Sequence, residues 1–537
     1  MKVKIFTFLY FLNILNANAQ QTNNQGIADR ISSGFETIAD AWSSFVFYPL
    51  TFGKVEVPVV VIILVMTAFI FTLLFKFPNI TLLPTSINIL RGKYDKLESI
   101  DSTERLEEIE IDQVDSDKDE IIQKRRVQKS FRKKKKKEGE VSHFQALTTA
   151  LSGTVGLGNI AGVAIALSLG GPGATFWMMV AGFLGMSSKF VECTLAVKYR
   201  DVGENGKIYG GPMYYLKKGL ADVGKGSLGK FLAIFYSIMI VGGSIGNNMF
   251  QSNQSTQQFT NILNLGGNAN LYYGIVTAIL VGIVLVGGIK RIGQITEKVV
   301  PIMVGIYIFT AMTILVMNYH LIGDAFGQIL NGAMNPEGIA GGFFGVLVQG
   351  FKRAAFSNEA AVGTSAIAHS AVKTNYPASE GLIALLEPFI DTVVVCTMTA
   401  LIIIITNSDG GIMTYGMQSP DGVLATSKAF ASVFPWFPYV LTVAVMLFAF
   451  STVLSWSYYG LQGWVFLFGR SKTVKNIYKI LFCVFVVVGS VSTLGSVTDF
   501  FDAMIFAMVV PNVIGLFFLF PKVKEELSNY LKKTRNA

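Results

Sequence analysis

Long apolar stretches constrain the fold of this chain more strongly than any other feature of its sequence. A helix needs about 20 consecutive apolar residues to cross the ~30 Å hydrocarbon core of a bilayer. Windows of this kind occur eleven times, with approximate limits 56–76, 144–168, 174–197, 229–262, 271–289, 296–318, 340–371, 380–406, 434–468, 475–492 and 497–520. The composition agrees, because 51% of the residues are hydrophobic and only 15% are charged, which is typical of membrane proteins. The sequence therefore predicts an all-α protein embedded in the lipid bilayer.

The first nineteen residues form a separate unit. Lys2 and Lys4 precede an apolar run from Ile5 to Leu15, and the small-residue sequence at 17–19 follows. This order is typical of a cleavable secretory signal. A short membrane anchor is the alternative, although the run is too short to cross ~30 Å of hydrocarbon. Removal of residues 1–19 would leave residues 20–55 as an extracytoplasmic segment before the first transmembrane helix.

The distribution of Lys and Arg predicts the orientation of the chain in the membrane. Nearly all basic residues lie in alternate connections, at 77–143, 198–228, 290–295 and 469–474, and in the tail at 521–537. By the positive-inside rule these segments are cytoplasmic. An odd number of spans then places the mature N-terminus outside and the C-terminus inside a plasma (inner) membrane, as a cleaved signal would. The net charge of +9 follows from these loops, so it does not require a nucleic-acid partner.

The connection at 77–143 is unusually long and changes from acidic, at 98–120, to basic, at 124–137. Segregated charge without apolar periodicity favours a solvated, partly disordered cytoplasmic insert. Two interpretations remain open. The basic run binds anionic lipids, at about 1 kcal/mol for each Lys or Arg near the surface, or it is only a large topology anchor.

Two of the predicted spans contain residues that weaken a helix. The second holds "LSGTVGLGNIAG" at 151–162, and the seventh, which runs in the opposite direction, holds "FSNEAAVGTSAIAHS" at 356–370. A glycine costs a helix roughly 1 kcal/mol relative to alanine, and a freed backbone group costs several more in lipid. Interrupted helices at corresponding positions of two inverted halves are typical of secondary transporters with a site near the midplane. The sequence therefore predicts one five-helix repeat at 144–318 and an inverted one at 340–520.

A simpler interpretation is that the glycines only let helices pack closely. That explanation suits Gly162 and Gly170 but leaves the polar residues Ser152, Thr154 and Asn159 unexplained.

Several long motifs are similar to those of a known family. They are "TALSGTVGLGNIAGVAIALSLGGPGATFW", "GNNMFQSN", "GFKRAAFSNEAAVGTSAIAHSAVKTNYP" and "FAFSTVLSWSYYG". They resemble the signatures of the alanine/glycine:cation symporters, also called sodium:alanine symporters, and the likeness covers roughly residues 140–520. The resemblance implies a leucine-transporter-like fold with one additional N-terminal helix. It also implies sodium-driven uptake of small neutral amino acids, without covalent catalysis.

The chemistry of an amino-acid zwitterion fits a broken helix. Freed N–H groups at the start of one half-helix suit its carboxylate, and freed carbonyls at the end of the other suit its ammonium or a sodium ion. Gly156, Gly158 and Asn159 are therefore candidates for the carboxylate side, with Thr154 close to substrate and ion. Thr364 and Ser365, in the second interrupted segment, are further substrate-binding candidates.

Two uninterrupted spans supply the remaining candidates. Gln251 matches a glutamine of the family, although an amide that ties two helices together is the alternative. By resemblance, Thr452 and Trp456 face the substrate, and the indole limits side-chain size; an interfacial belt position is the alternative for Trp456. A hard cation needs oxygen ligands, so Ser451 and Thr452, together with Thr154, are the predicted sodium ligands.

Ionisable residues within the spans require partners. Glu359 is expected to stabilise the second break or shape the ion path, and Lys352 and Arg353 are the predicted partners of Glu359 and Asp391.

Two further groups are predicted near the cytoplasmic side. Lys189 and Glu192 have the spacing of an ion pair on a helix surface. His369 is predicted to cap the cytoplasmic end of its span, because a lone histidine does not make a proton relay.

Several alternatives remain open. A channel would need pore-lining rings, whereas inverted halves favour alternating access. An enzyme is not expected, since no metal-ligand cluster, nucleophile with base or phosphate loop is evident, and sodium is the only ion required. A proton-coupled carrier of the same fold and a non-transporting amino-acid sensor remain alternatives. Leu157, Ala361 and Thr364-Ser365 depart from the family pattern, so the choice of alanine, glycine or another small amino acid stays open, as do enantiomer, stoichiometry and oligomeric state.

Overall fold

The computed structural model describes residues 42–52, 55–95, 97, 139–203, 206–266, 268–335, 342–407, 411–417 and 422–535. The predicted signal at 1–19 and the charge-segregated part of the insert, at 98–138, lie outside the described residues. Ahead of the first span, β1 (Pro49–Phe52) and β2 (Val55–Pro58) pair antiparallel, with Leu50 opposite Val57.

Each of the eleven predicted spans is a helix or an interrupted helix in the structure. In chain order they are span 1 (Val59–Leu74), span 2 (His143–Thr154, Leu157–Asn159 and Ala161–Gly170), span 3 (Gly173–Lys198), span 4 (Gly226–Ile262), span 5 (Ala269–Leu285), span 6 (Gly288–Met317), span 7 (Gly342–Asn358 and Ala366–His369), span 8 (Pro377–Thr406), span 9 (Phe437–Phe468), span 10 (Lys472–Val491) and span 11 (Leu494–Arg535). Seven of these helices are individually long and apolar enough to cross a membrane, and the bent pair of span 2 adds an eighth. The expected all-α architecture of two five-span units after one extra helix is confirmed.

Shorter helices connect the spans. Pro78–Thr81 and Leu83–Leu90 follow span 1, Pro212–Asp222 lies between spans 3 and 4, Tyr319–Met334 lies between spans 6 and 7, and Gly422–Ala431 lies between spans 8 and 9. Two short strands, β3 (Asp201–Val202) and β4 (Ile208–Tyr209), form a hairpin after span 3.

The last span is longer than predicted. Its helix continues from the expected end near residue 520 through Arg535, so the basic tail is helical as far as that residue. Tyr530 explains the extension, since its buried ring packs against Tyr94 and Tyr376. The apolar window ends before the helix does because the last turns pack on the protein.

The interrupted spans lie inside the bundle. In span 2 the residues from Ala146 to Leu167 are all buried, whereas spans 1, 5 and 10 expose apolar side chains such as Met66, Ile279 and Ile480. Such side chains suit contact with lipid, while the irregular backbone of span 2 is enclosed by protein, as an interrupted helix in a membrane requires.

The two interruptions have different backbones. In span 2 the half-helices meet at 53° across a short 3-10 turn at Leu157–Asn159. In span 7 the helix ends at Asn358, and Glu359 and Ala361 have φ of 56° and 65°. Non-glycine residues rarely adopt this left-handed region, so the surrounding contacts must hold the second break in place.

Candidate functional site

The break of span 2 presents backbone donors to two amide side chains. Gly156 N–H donates to Asn159 Oδ1 at 2.9 Å, and Leu157 N–H donates to Gln251 Oε1 of span 4 at 3.2 Å. Gln251 is itself oriented by Asn247, whose Oδ1 accepts from Nε2 at 2.9 Å. The donors freed by the break are therefore satisfied by neutral groups that a ligand carboxylate can replace.

Glycine at position 156 permits the close approach of three spans. A Cβ atom there would lie 2.6 Å from Thr452 Oγ1 of span 9 and 3.3 Å from Gln251 Nε2. At Gly158 a Cβ would lie 3.2 Å from the ring of Phe356 of span 7. The structure thus brings together Gly156, Gln251 and Thr452, three of the predicted substrate-site residues.

The hydroxyl of Thr452 is buried and has no hydrogen-bond partner among the described residues. The neighbouring Ser451 hydroxyl donates to Phe448 O at 3.1 Å, and the Thr154 hydroxyl donates to Ala150 O at 3.3 Å, each within its own helix. Ser152 rather than Thr154 contacts span 9 directly, because its hydroxyl donates to Ser451 O at 2.7 Å. An unpartnered buried hydroxyl is costly unless a ligand uses it, which makes Thr452 the most available of the three predicted sodium ligands.

Trp456 lies one turn from Thr452 and is fully buried. Its indole Nε1–H donates to Gly153 O, next to the break, at 3.1 Å, and its ring meets Phe501 edge-on at 5.5 Å between centroids. Phe501 also packs on Phe356, with centroids 4.8 Å apart. The alternative of an interfacial belt tryptophan is therefore wrong, and the indole is part of an aromatic wall beside the break.

Asn159 also connects the two interrupted spans through residues that were not predicted site members. Its Nδ2 donates to Asp391 Oδ1 of span 8 at 2.7 Å and to Ser357 Oγ of span 7 at 3.1 Å. Ser357 and Thr392 donate to the other carboxylate oxygen at 2.6 and 2.8 Å. Asp391, which lies in the π-helical segment Phe389–Cys396, thus accepts all of these hydrogen bonds from neutral donors.

Lys352 and Arg353 do not neutralise Glu359 or Asp391, so that prediction is wrong. Both pair with Asp502 of span 11; Lys352 Nζ lies 3.0 Å from its Oδ2, and Arg353 contacts the same oxygen. Sequence proximity on span 7 suggested the wrong partners because the acid comes from a span about 150 residues later in the chain.

Charged residues surround the second break. Glu359 accepts from the hydroxyl of Thr364, and Lys189 of span 3 contacts the hydroxyl of Ser365. The contacts recorded for Thr364 and Ser365 are thus with this charged group. Their substrate role stays a prediction.

Neutral groups of other spans close the backbone of the same break. Asn512 Nδ2 donates to Ala361 O at 2.8 Å, and the Tyr236 hydroxyl donates to Val362 O at 3.0 Å.

The expected surface pair of Lys189 and Glu192 is also wrong. Both side chains are fully buried; Lys189 Nζ lies 3.2 Å from Glu387 Oε2 of span 8, while Glu192 accepts from Asn512 Nδ2 at 2.8 Å. The helical spacing was correct, but span 3 has no solvent-exposed face here, since spans 7, 8 and 11 cover it.

His369 does not merely cap its helix. Nδ1 lies 2.6 Å from Glu380 Oε1, Nε2 contacts Glu387, and the second oxygen of Glu380 contacts His143 at the start of span 2. Sequence reasoning missed His143, Glu380 and Glu387, although carboxylates within an apolar span are a signal of function in their own right.

The sequence model of the Sodium:alanine symporter family matches residues 119–537. The sodium/alanine symporter AgcS of Methanococcus maripaludis is 40% identical over 74% of this chain and 86% of its own length. The putative sodium/proton-dependent alanine carrier protein YrbD of Bacillus subtilis is 33% identical over 75% of this chain and 84% of its own. A solved structure of MhsT in complex with L-phenylalanine aligns with a TM-score of 0.49 at 15% identity, covering 71% of this chain and 89% of that one. With its two interrupted spans in the order that the motifs predicted, this chain belongs to the sodium:alanine symporter family.

Proposed function

We propose that this protein is a secondary active transporter that couples sodium entry to the uptake of a small neutral amino acid, alanine or glycine, by alternating access. The single observation that carries the proposal is the break of span 2, where Gly156 and Leu157 present N–H groups beside the unpartnered hydroxyl of Thr452. Family membership supports it, and so does the name of the relative from Methanococcus maripaludis. The protein lies in the plasma (inner) membrane, with its basic loops and C-terminus in the cytoplasm.

The substrate carboxylate replaces neutral acceptors at the break. It takes the place of Gln251 Oε1 at Leu157 N–H, 3.2 Å away, and gains the positive end of the half-helix that follows. Gly158 carries no side chain, which lets the Phe356 ring pack against this part of the break. Trp456 and Phe356 lie on the apolar side of the break, so the site suits a substrate with a short side chain.

Sodium binds where hydroxyl and carbonyl oxygens converge between spans 2 and 9. Thr452 provides a hydroxyl that no described residue uses, and Ser451 and Thr154 lie on the same two helices. A dehydrated hard cation needs several oxygen ligands, and these hydroxyls and the ends of the broken helix provide them without a carboxylate. No covalent chemistry and no resident cofactor are required.

Counterflow of labelled alanine in proteoliposomes tests the proposal. Vesicles containing the purified protein and loaded with unlabelled alanine should accumulate label when sodium is present, and replacing sodium by choline at fixed pH should abolish accumulation. Undiminished accumulation in choline that depends on a pH gradient would favour the proton-coupled alternative. Binding of alanine without counterflow would favour a sensor.

A further inference from the structure

Five ionisable side chains form a continuous chain of contacts at the end of the bundle where span 2 begins and span 7 ends. We name His143, Lys189, His369, Glu380 and Glu387 the cytoplasmic charge cluster. They come from spans 2, 3, 7 and 8, and the contacts run in the order His143, Glu380, His369, Glu387, Lys189. The side chain of His143 is 16% exposed, whereas the other four are 0% exposed, so within the described part of the protein solvent reaches these contacts at His143 and not at the other four.

The geometry at His369 requires one more proton than neutral histidine supplies. Both ring nitrogens contact carboxylate oxygens, with Nδ1 2.6 Å from Glu380 Oε1 and Nε2 against Glu387 Oε1. An ionised carboxylate only accepts hydrogen bonds, and neutral imidazole has one N–H. Two such bonds therefore need a second proton, which is carried either by the ring as imidazolium or by one of the carboxyls.

We propose that Glu380, His369 and Glu387 form a proton-binding site that exchanges with the cytoplasm through His143 and whose occupancy favours closure of the cytoplasmic end of the transporter. The site is inferred from its own contacts, while its effect on transport rests on the proposed function. Binding is a single proton transfer from water or buffer, with no other bond made or broken.

Charge balance sets the direction of the effect. With the proton bound, one histidine and Lys189 offset the two glutamates, so the core of the cluster is neutral. Without it, one negative charge is left buried among four packed spans, which is strongly unfavourable. Opening the cytoplasmic end must separate some of these spans and hydrate the cluster. The proton is therefore retained in the closed state and released to the cytoplasm on opening.

Other titratable or charged groups face the site and must be considered in any pH dependence. They are Lys189, Glu192 and Cys193 of span 3, Arg200 after it, Glu359 of span 7, His143 of span 2 and the phenol of Tyr459. The phenols of Tyr215 and Tyr236 lie behind them, near Glu192. A variant that changes only the proton requirement is needed to separate the site from these groups.

Glu380→Gln is that variant. The amide oxygen can accept from His143, and the amide nitrogen can donate to His369 Nδ1, while Nε2–H donates to Glu387. Every hydrogen bond is kept, Lys189 still offsets Glu387, and the extra proton is no longer required. His320→Gln is the matched control, because it replaces the one remaining histidine of the chain, an exposed residue at the opposite end of the bundle.

The first test is thermal unfolding of the purified protein between about pH 6 and pH 9. In the wild type, a proton that is held only in the folded state stabilises the fold most at low pH. This stabilisation is lost progressively as the pH rises above about 6.5, the pKa of histidine in the unfolded chain. As the pH rises, the midpoint temperature of unfolding should therefore fall more in the wild type than in Glu380→Gln, while His320→Gln follows the wild type. Parallel wild-type and Glu380→Gln profiles would overturn the proton site.

A second test follows alanine uptake at fixed external pH while internal pH is varied and the membrane potential is clamped. One linked proton changes the closed-to-open ratio by at most about tenfold per pH unit. Internal acidification should slow wild-type uptake and leave Glu380→Gln unchanged. Equal responses of the two proteins would overturn the transport role. A thermal difference without any uptake would retain the proton site and reject the proposed function.

If Glu380→Gln does not fold, spectroscopy of the wild-type protein tests the proton-binding site instead. With only three histidines in the chain, nitrogen-15 NMR of histidine-labelled protein distinguishes imidazolium from neutral rings, and infrared spectroscopy detects a protonated carboxyl. At a pH near 8 one of these signatures is expected from the cluster. Three neutral rings together with no protonated carboxyl band would overturn the proposal.

Discussion

The two interrupted spans differ in the side chains that surround their breaks. At the break of span 2, the freed N–H groups of Gly156 and Leu157 are held by the neutral amides of Asn159 and Gln251. At the break of span 7, the neutral side chains of Asn512 and Tyr236 hold the carbonyls of Ala361 and Val362. The side chains next to them are ionic: Glu359 accepts from Thr364, and Lys189 bridges Ser365 and Glu387. The freed N–H groups of the first break thus have neutral partners that exchange easily, whereas the second break also carries a buried ion pair that does not.

The free energies of the two kinds of contact indicate different roles for the two breaks. A neutral hydrogen bond contributes about 0.5–1.5 kcal/mol net, so a ligand can replace Gln251 at little cost. Removing one partner of a buried ion pair costs about 3–5 kcal/mol, so the second break opens only when its charges are hydrated together. We therefore expect the first break to bind substrate and the second to link binding to movement of the cytoplasmic end.

The largest stability effect is expected at the charged break. Lys189→Ala leaves one uncompensated negative charge in the cytoplasmic charge cluster and should destabilise the folded protein by about 3–5 kcal/mol, measured as a lower midpoint temperature of unfolding in detergent. Lys352→Ala is the matched control: Asp502 keeps Arg353, and the Lys352 side chain is partly exposed. Equal midpoints for the two variants would remove the energetic contrast between the breaks.

The largest functional effect is expected at the neutral break. Gly158→Val should abolish alanine uptake while folded protein remains in the membrane, because a β-branched side chain occupies the carboxylate position and restricts the backbone. A Cβ at position 158 would lie 3.2 Å from the Phe356 ring, whereas a Cβ at position 162 would lie 3.8 Å from the same ring. Gly162→Ala should therefore retain uptake, and wild-type uptake by Gly158→Val at normal abundance would refute the binding role of this segment.

A smaller effect is expected on substrate choice. Trp456→Ala opens volume that alanine cannot fill, while leucine gains burial of about 0.8 kcal/mol per methylene. Competition assays should show the ratio of leucine uptake to alanine uptake rising by a factor of some tens, since discrimination by size amounts to ~1–3 kcal/mol per methylene. Trp464→Ala, on the same helix but bonded to Val474 O, should leave the ratio unchanged. An equal loss for all substrates in Trp456→Ala would make the indole a packing residue only.

The contrast between the breaks was only partly predictable from the sequence. The eleven spans and both interruptions are local signals, in which apolar length, glycine and hydroxyl residues act within one helix, and the structure confirms them. The partners of the charged residues are not local. Lys352 and Arg353 reach Asp502, and Lys189 reaches Glu387, because helices far apart in sequence pack side by side.

The charge cluster illustrates the same limit. The sequence predicts His369 to be an isolated residue because its neighbours in the sequence are apolar or small. Its partners Glu380 and Glu387 belong to a different span, and no local pattern connects them to His369. Only the packing of spans 2, 3, 7 and 8 makes a chain of these residues.

The smallest predicted effect concerns the ion and would sharpen the comparison at the neutral break. Thr452→Val replaces a hydroxyl that has no partner among the described residues by a methyl group of similar size, so stability should change little. If sodium uses this oxygen, the sodium concentration for half-maximal uptake should rise several-fold, which corresponds to a loss of about 1 kcal/mol, the typical net contribution of one hydrogen bond. Because coupling is reciprocal, apparent alanine affinity should fall by the same factor when sodium is limiting. Ser457→Ala, whose hydroxyl donates to Leu454 O of its own helix, should change neither value. Unchanged sodium dependence in Thr452→Val, and also in the double variant Ser451→Ala with Thr452→Ala, would place the ion elsewhere. The other oxygen-rich group beside the break of span 2 is the carboxylate of Asp391 with Asn159 and Ser357. The same sodium titration of Asp391→Asn would then show the larger shift.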